Sequence, residues 1–196
     1  MLKIGLTGGI GSGKTLTSTI FRELGVPVYV ADAEARRLME TNQTVMNDVM
    51  QLFGPEAYSN GKLNSSNLAE IVFRDPDLLE KLNRIVHPAV RKDFETWSEQ
   101  HTEKAYVVEE AAILFESGGN AFMDYTIFMK ADREQRILRV MNRDNVSREQ
   151  VEHRIARQMP DVEKEKLSDF IIYNDNDSMI LPQIVDLHHR FSITKK

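Results

Sequence analysis

Cysteine is absent from the 196 residues, which excludes a disulfide framework and any thiolate metal site. Long apolar runs are absent too. None approaches the roughly 18 residues that a membrane-crossing helix needs, so no membrane role is expected. The N-terminal MLKIGLTGG carries one lysine and a short apolar stretch that runs straight into glycines. It lacks the apolar core and cleavage site of a secretory leader, and a cytoplasmic location is the expectation. Positive charge is also in short supply, with 25 Lys and Arg against 30 Asp and Glu. A net charge of −5 argues against broad nucleic-acid binding, which requires a basic surface. An anionic ligand must then be held by a local cluster of donors.

Apolar residues make up 41% and charged residues 28%, as in ordinary globular proteins. The length suits one domain with a sizeable core and a small insert. Short runs rich in β-branched and aromatic residues read as strands at LKIGL (2–6), VPVYVA (26–31), YVVEEA (106–111), TIFMKA (126–131) and FIIY (170–173). Their continuity suits parallel strands covered on both faces.

Leu16, Ile20, Phe21 and Leu24 recur at helical spacing after the first strand, with Gly25 placed to cap the helix. Some 75 residues between the second and third strands read as helical. There Asp75-Pro76 is a start signal and Pro88 opens a further helix bearing Val90, Phe94 and Trp97. A polar, arginine-rich helical stretch covers about 133–168, with a capping box at Ser147 and Gln150.

The expected architecture is therefore α/β, a mostly parallel five-stranded sheet between helices. The core falls at about 1–35, 104–132 and 168–196, a helical acceptor-binding insert at about 36–103 and a lid at about 133–167.

Gly8-Gly9-Ile10-Gly11-Ser12-Gly13-Lys14-Thr15 matches G-x-x-x-x-G-K-[ST]. Glycines let successive N–H groups point inward at phosphate oxygens, and the helix that follows adds its free N–H groups and dipole. Lys14 then reaches the β- and γ-phosphates, and the Thr15 hydroxyl completes a Mg²⁺ shell. The ATP-binding set runs from Gly9 to Leu16. An apolar strand before the loop and a helical pattern after it are the context the motif needs.

The loop alone does not separate kinase from ATPase or GTPase. However, no glycine has Asp three positions before it and no Asn-Lys pair occurs, so both the D-x-x-G switch and the N-K-x-D guanine-reading motif of a GTPase are missing. The chain leaves little room for a motor, and a small-molecule kinase remains. Such an enzyme needs an acceptor pocket, an orienting carboxylate and cations around the transferred group. Asp32 follows the second strand, at the edge where doubly wound sheets bind ligands. By position it suits either a base or an N-cap for a helix starting at Ala33. Arg36 lies one turn later and can pair with Asp32, hold a substrate phosphate or stay solvated. Arg136, Arg139 and Arg143 share one helical face, where like charges repel unless an anion or nearby acids join them.

Taken together, these segments closely resemble the dephospho-CoA kinase family. The resemblance rests on LTGGIGSGKT, V-x-x-A-D-A-x-A-R (28–36), Phe53-Gly54, Leu82 with Val86-His87-Pro88, and Leu114-Phe115-Glu116-Ser117-Gly118. It continues through R-x-x-x-R-D (139–144), Gln158 and Tyr173-Asn174-Asp175. It implies a three-layer P-loop kinase fold and ATP-dependent phosphorylation of the 3′-hydroxyl of dephospho-CoA, with Mg²⁺ as cofactor. It further implies Asp32 as general base and Arg36 with His87 toward the acceptor. Arg139 and Arg143 would form a lid over ATP, and Asn174 would lie near the adenine. His87 also has a local reading, as a cap for the helix at Pro88. Where the family commonly has D-x-P-L-L-F-E, this chain reads Glu110-Ala111-Ala112-Ile113-Leu114-Phe115-Glu116. Glutamate keeps a carboxylate able to order Mg²⁺ through water, while loss of the proline alters the loop's stiffness.

Overall fold

The computed structural model describes residues 1–175 and 178–194; positions 176, 177, 195 and 196 of the expected core segment lie outside the described residues. The elements are β1 (Leu2–Gly8), α1 (Lys14–Glu23), β2 (Val28–Val30), α2 (Ala31–Thr41), α3 (Gln43–Phe53), β3 (Tyr58–Ser59) and β4 (Lys62–Leu63). Next come α4 (Ser65–Arg74), α5 (Pro76–Glu99), β5 (Tyr106–Glu110), β6 (Tyr125–Lys130) and α6 (Arg133–Asp144). The chain closes with α7 (Arg148–Ala156), α8 (Asp161–Leu167), β7 (Phe170–Tyr173) and α9 (Ile180–Ile193). Two compact units result, one from 1–30 with 98–196 and the other from 31–97.

In the first unit, five strands form one sheet in the order β2-β5-β1-β6-β7, with every pair parallel. All five expected strands are present within a residue or two, β2 being shorter than its apolar run. Every residue of β5 is buried, and all but one of β1. That continuous burial is why their sequences do not alternate. Ile4, Leu6, Val108, Ile127 and Met129 join Phe21 of α1 and Ile184 and Phe191 of α9 in one core cluster. Each such large side chain contributes about 1.5–3 kcal/mol by leaving water. Because all strands run the same way, Gly8, Glu110, Lys130 and Tyr173 end at one edge of the sheet. The helix α1 stops where Gly25 adopts φ 78°, bonding its N–H to Arg22 O at 2.9 Å. Leu16, grouped with the apolar stripe from its spacing, is instead 54% exposed.

The second unit departs from an all-helical reading. A small antiparallel hairpin joins β3 to β4, turned by Asn60 and Gly61 at φ 52° and 75°. Asn-Gly is the residue pair that a two-residue hairpin turn prefers. Asp75 does cap α5, accepting N–H bonds from Asp77 and Leu78. Pro88, however, opens no helix. It lies inside α5, which runs unbroken for 24 residues. Leu82, Val86, Val90 and Phe94 are all buried, and their spacing of four makes one apolar stripe of what reads as two. Burial of that stripe outweighs the backbone bond that an interior proline forfeits. Arg37 donates to Asp93 at 2.7 Å, tying α2 to α5 on the polar side.

Candidate active site

The sheet's carboxyl edge carries the loop between β1 and α1. Gly11 and Gly13 sit at φ 78° and 104°, conformations that side chains seldom adopt. A Cβ at Gly13 would also lie 2.2 Å from Asn174 Nδ2. Helix α1 therefore begins without a capping side chain and with no acidic residue in its first turn. Its leading N–H groups and the positive end of its dipole remain available to an anion. Lys14 folds back along the loop, donating from Nζ to Gly8 O at 2.8 Å. Thr15 is exposed. Ser12 is buried, and its hydroxyl has no hydrogen-bond partner.

Glu110 ends β5 beside this loop's helix. Its Oε2 accepts the Ser18 hydroxyl at 2.7 Å within the core, which fixes the carboxylate's orientation. The segment after β5 is held without proline. Lys164 of α8, fully buried, donates to Ala112 O at 3.0 Å and pairs with Glu116 at 2.8 Å. Glu116 also accepts the Met159 N–H at 2.8 Å.

The three stacked arginines meet three different fates. Arg136 turns inward, 2% exposed. Its Nε donates to Ile10 O at 2.9 Å, and its Nη1 pairs closely with Asp161. Burial draws its pKa down, and Asp161 opposes that. Arg139 points along the loop, donating to Gly11 O at 3.5 Å, to Asn174 O at 3.3 Å and to Gln135 at 3.1 Å. Arg143 is exposed and held by Asp144, which raises its pKa. Asp144 in turn takes Arg154 at 2.9 Å. The protein's own acceptors thus relieve the repulsion expected of that face. Asn174 meets the loop directly, with Nδ2 donating to Ser12 O at 2.7 Å.

Asp32 lies in the first turn of α2, which starts at Ala31. It is helical and exposed, so it does not cap a helix at Ala33. Arg36 is exposed one turn on. His87 lies within the continuous α5 and caps nothing; burial, then Arg91, lowers its pKa. Among the described residues no group of three or more His, Asp or Glu side chains forms a ready-made metal site. No described helix is long and apolar enough to cross a membrane. Sequence reasoning missed Asp161 and the inward turn of Arg136. The i, i+3, i+7 spacing put Arg136 on the right face but could not show that it is buried.

Residues 2–179 match the family model for dephospho-CoA kinase. A Bacteroides fragilis relative carrying that name is 39% identical over 186 residues, which is 95% of this chain and 91% of the relative. A Thermus thermophilus crystal structure superposes with a TM-score of 0.84 at 34% identity, covering 99% of this chain and 98% of the other. The Campylobacter jejuni dephospho-CoA kinase structure does so at 0.71 and 25%, covering 97% and 96%. The parallel sheet, the uncapped α1 and these matches over nearly the whole length agree: this is a kinase with the P-loop kinase fold, and the chain belongs to the dephospho-CoA kinase family.

Proposed function

We propose that the chain transfers the γ-phosphoryl group of ATP to the ribose 3′-hydroxyl of dephospho-CoA, giving coenzyme A and ADP. The observation that carries this reading is the uncapped start of α1 behind the left-handed glycines, in a chain of this family. The loop from Gly9 to Leu16 takes the phosphates of ATP, and Lys14 swings from its carbonyl partners onto the β- and γ-oxygens. Arg139 and Arg143 stand over the nucleotide, and Asn174 supports the loop beside its base.

Thr15 and Glu110 suit Mg²⁺, because both offer hard oxygen donors and Glu110 is oriented by Ser18. Bound there, the ion supplies charge neutralisation on the phosphates. Asp32 accepts the proton of the 3′-hydroxyl as that oxygen attacks the γ-phosphorus and the bond to the β-phosphate oxygen breaks. No phosphoenzyme forms. Arg36 and His87 lie toward the acceptor. The second unit, 31–97, is larger than a minimal nucleoside pocket needs and takes the pantetheine arm. Contacts there position the hydroxyl from a distance.

The test is ATP consumption with and without dephospho-CoA, with the product identified by mass and its phosphate located by NMR. Acceptor-dependent turnover to a 3′-phosphate is expected. ATP hydrolysis indifferent to the acceptor, or a phosphate at another position, contradicts the reading.

A further inference from the structure

Ile10 sits at the apex of the phosphate-binding loop, and both of its peptide groups are held by side chains from the arginine-rich segment. Its carbonyl accepts Arg136 Nε at 2.9 Å, and its N–H donates to Gln158 Oε1 at 2.9 Å. The other end of the Arg136 guanidinium pairs with Asp161, three residues beyond Gln158. The contacts therefore close a ring from Ile10 through Arg136, Asp161 and Gln158 back to Ile10.

The ring is tightly packed. A Cβ at Gly9 would stand 2.0 Å from Arg136 Nη2, and one at Gly11 would stand 2.6 Å from Arg136 O. A guanidinium suits this place. Its planar fork presents donors in two directions at fixed angles, whereas an ammonium on a flexible stem is a single point. With the Arg136 side chain almost wholly buried, its bonds to carbonyl and carboxylate are charge-assisted, although the half-buried Asp161 keeps part of its surface in water.

We infer that Arg136 and Gln158 are positioning residues that clamp the loop's backbone from both sides of Ile10, setting its N–H groups for the triphosphate. The clamp makes nucleotide affinity depend on residues 158–161, which need not touch the nucleotide. This inference rests on the reading of the loop as the ATP phosphate site.

The test uses Arg136→Lys, Gln158→Ala and the double variant of the full chain, with KM for ATP, KM for the acceptor and melting temperature measured on each. Arg136→Lys keeps the charge but cannot bridge Ile10 and Asp161. Losing a charge-assisted bond should raise KM for ATP by roughly tenfold or more, with the acceptor KM unmoved. Because one ring is broken by either change, the double variant should lose less than the product of the two single losses. Hydrogen exchange over Gly9–Gly13 without nucleotide should quicken in both single variants. Exchange and ATP KM equal to those of the unaltered chain, with only a lower melting temperature, would reduce both residues to packing and overturn the clamp. If the unaltered chain shows no ATP dependence, the phosphate-site reading fails instead, and the exchange measurement still decides the clamp.

Discussion

The two compact units solve different physical problems, and their sequences show it differently. The first unit must gather one loop, one lysine and several carbonyl-holding side chains at the edge of a parallel sheet. Its geometry is set by backbone conformations that few residues tolerate, Gly11 and Gly13 above all. The second unit, 31–97, is set chiefly by a stripe of apolar side chains along α5. Any apolar residue of similar volume maintains such a stripe. A site built on backbone conformation leaves a residue-specific signature, whereas a surface built on burial leaves only a period.

The sharpest way to break this contrast is Lys14→Ala. Lys14 is only half-buried and does no core packing, so turnover should vanish while the melting temperature stays within about 2 °C, as for a surface change. Near-normal turnover in a folded variant would remove the loop from the account. Asp32→Asn reaches into the second unit. Loss of a general base should lower kcat by about 10²–10⁴-fold, with Kd for ATP little changed. Normal turnover in a protein that melts earlier would make Asp32 a helix-stabilising acid in the first turn of α2.

Arg139→Ala is expected to slow phosphoryl transfer by roughly tenfold, about 1.4 kcal/mol in the barrier, without unfolding. Unchanged kcat would leave Arg139 as a brace for Gly11 and Asn174 only.

Smaller effects test the packing on each side. Pro88→Ala restores an N–H inside α5 and should raise the melting temperature, by an amount bounded by the roughly 3 kcal/mol difference in helix propensity. A lower melting temperature would show that the proline packs rather than interrupts.

Each unit also holds one imidazole whose pKa is depressed chiefly by burial. These are His188, which bonds Tyr106 Oη at 2.7 Å, and His87. The unfolded chain takes protons near pH 6.5 while these folded imidazoles resist them. Stability should therefore fall as pH drops below about 6.5 and level off beneath the folded pKa. His188→Gln should flatten part of that slope. An unaltered slope in urea midpoints across pH 5 to 8 would contradict the assignment.

Most of the first unit was legible from sequence. All five strands, the loop, Gly25 and the Ser147 capping box follow from runs, spacing and turn chemistry that the tertiary structure does not override. What was not legible has one cause. Proline and charge are read as interruptions and surface, and burial can reverse both. Pro88 lies within α5 because the stripe of Leu82, Val86, Val90 and Phe94 is continuous past it. Arg136 and Lys164 are core residues because each finds a carbonyl and a carboxylate together. Asn60-Gly61 is a hairpin signal, but the flanking strands of two residues each are too short to show an alternating run. Among the site residues, Asp32 and Arg36 were placed by their distance from β2. Their exposure and helical setting on α2 came only with the structure.

Acceptor choice is the centre of the proposed function. The most direct measurement is kcat/KM for dephospho-CoA beside AMP and adenosine, under one set of ATP and Mg²⁺ concentrations. The account predicts a large preference for dephospho-CoA, expressed in kcat as well as KM, because remote binding along the arm orients the hydroxyl. Equal efficiency on AMP would contradict it.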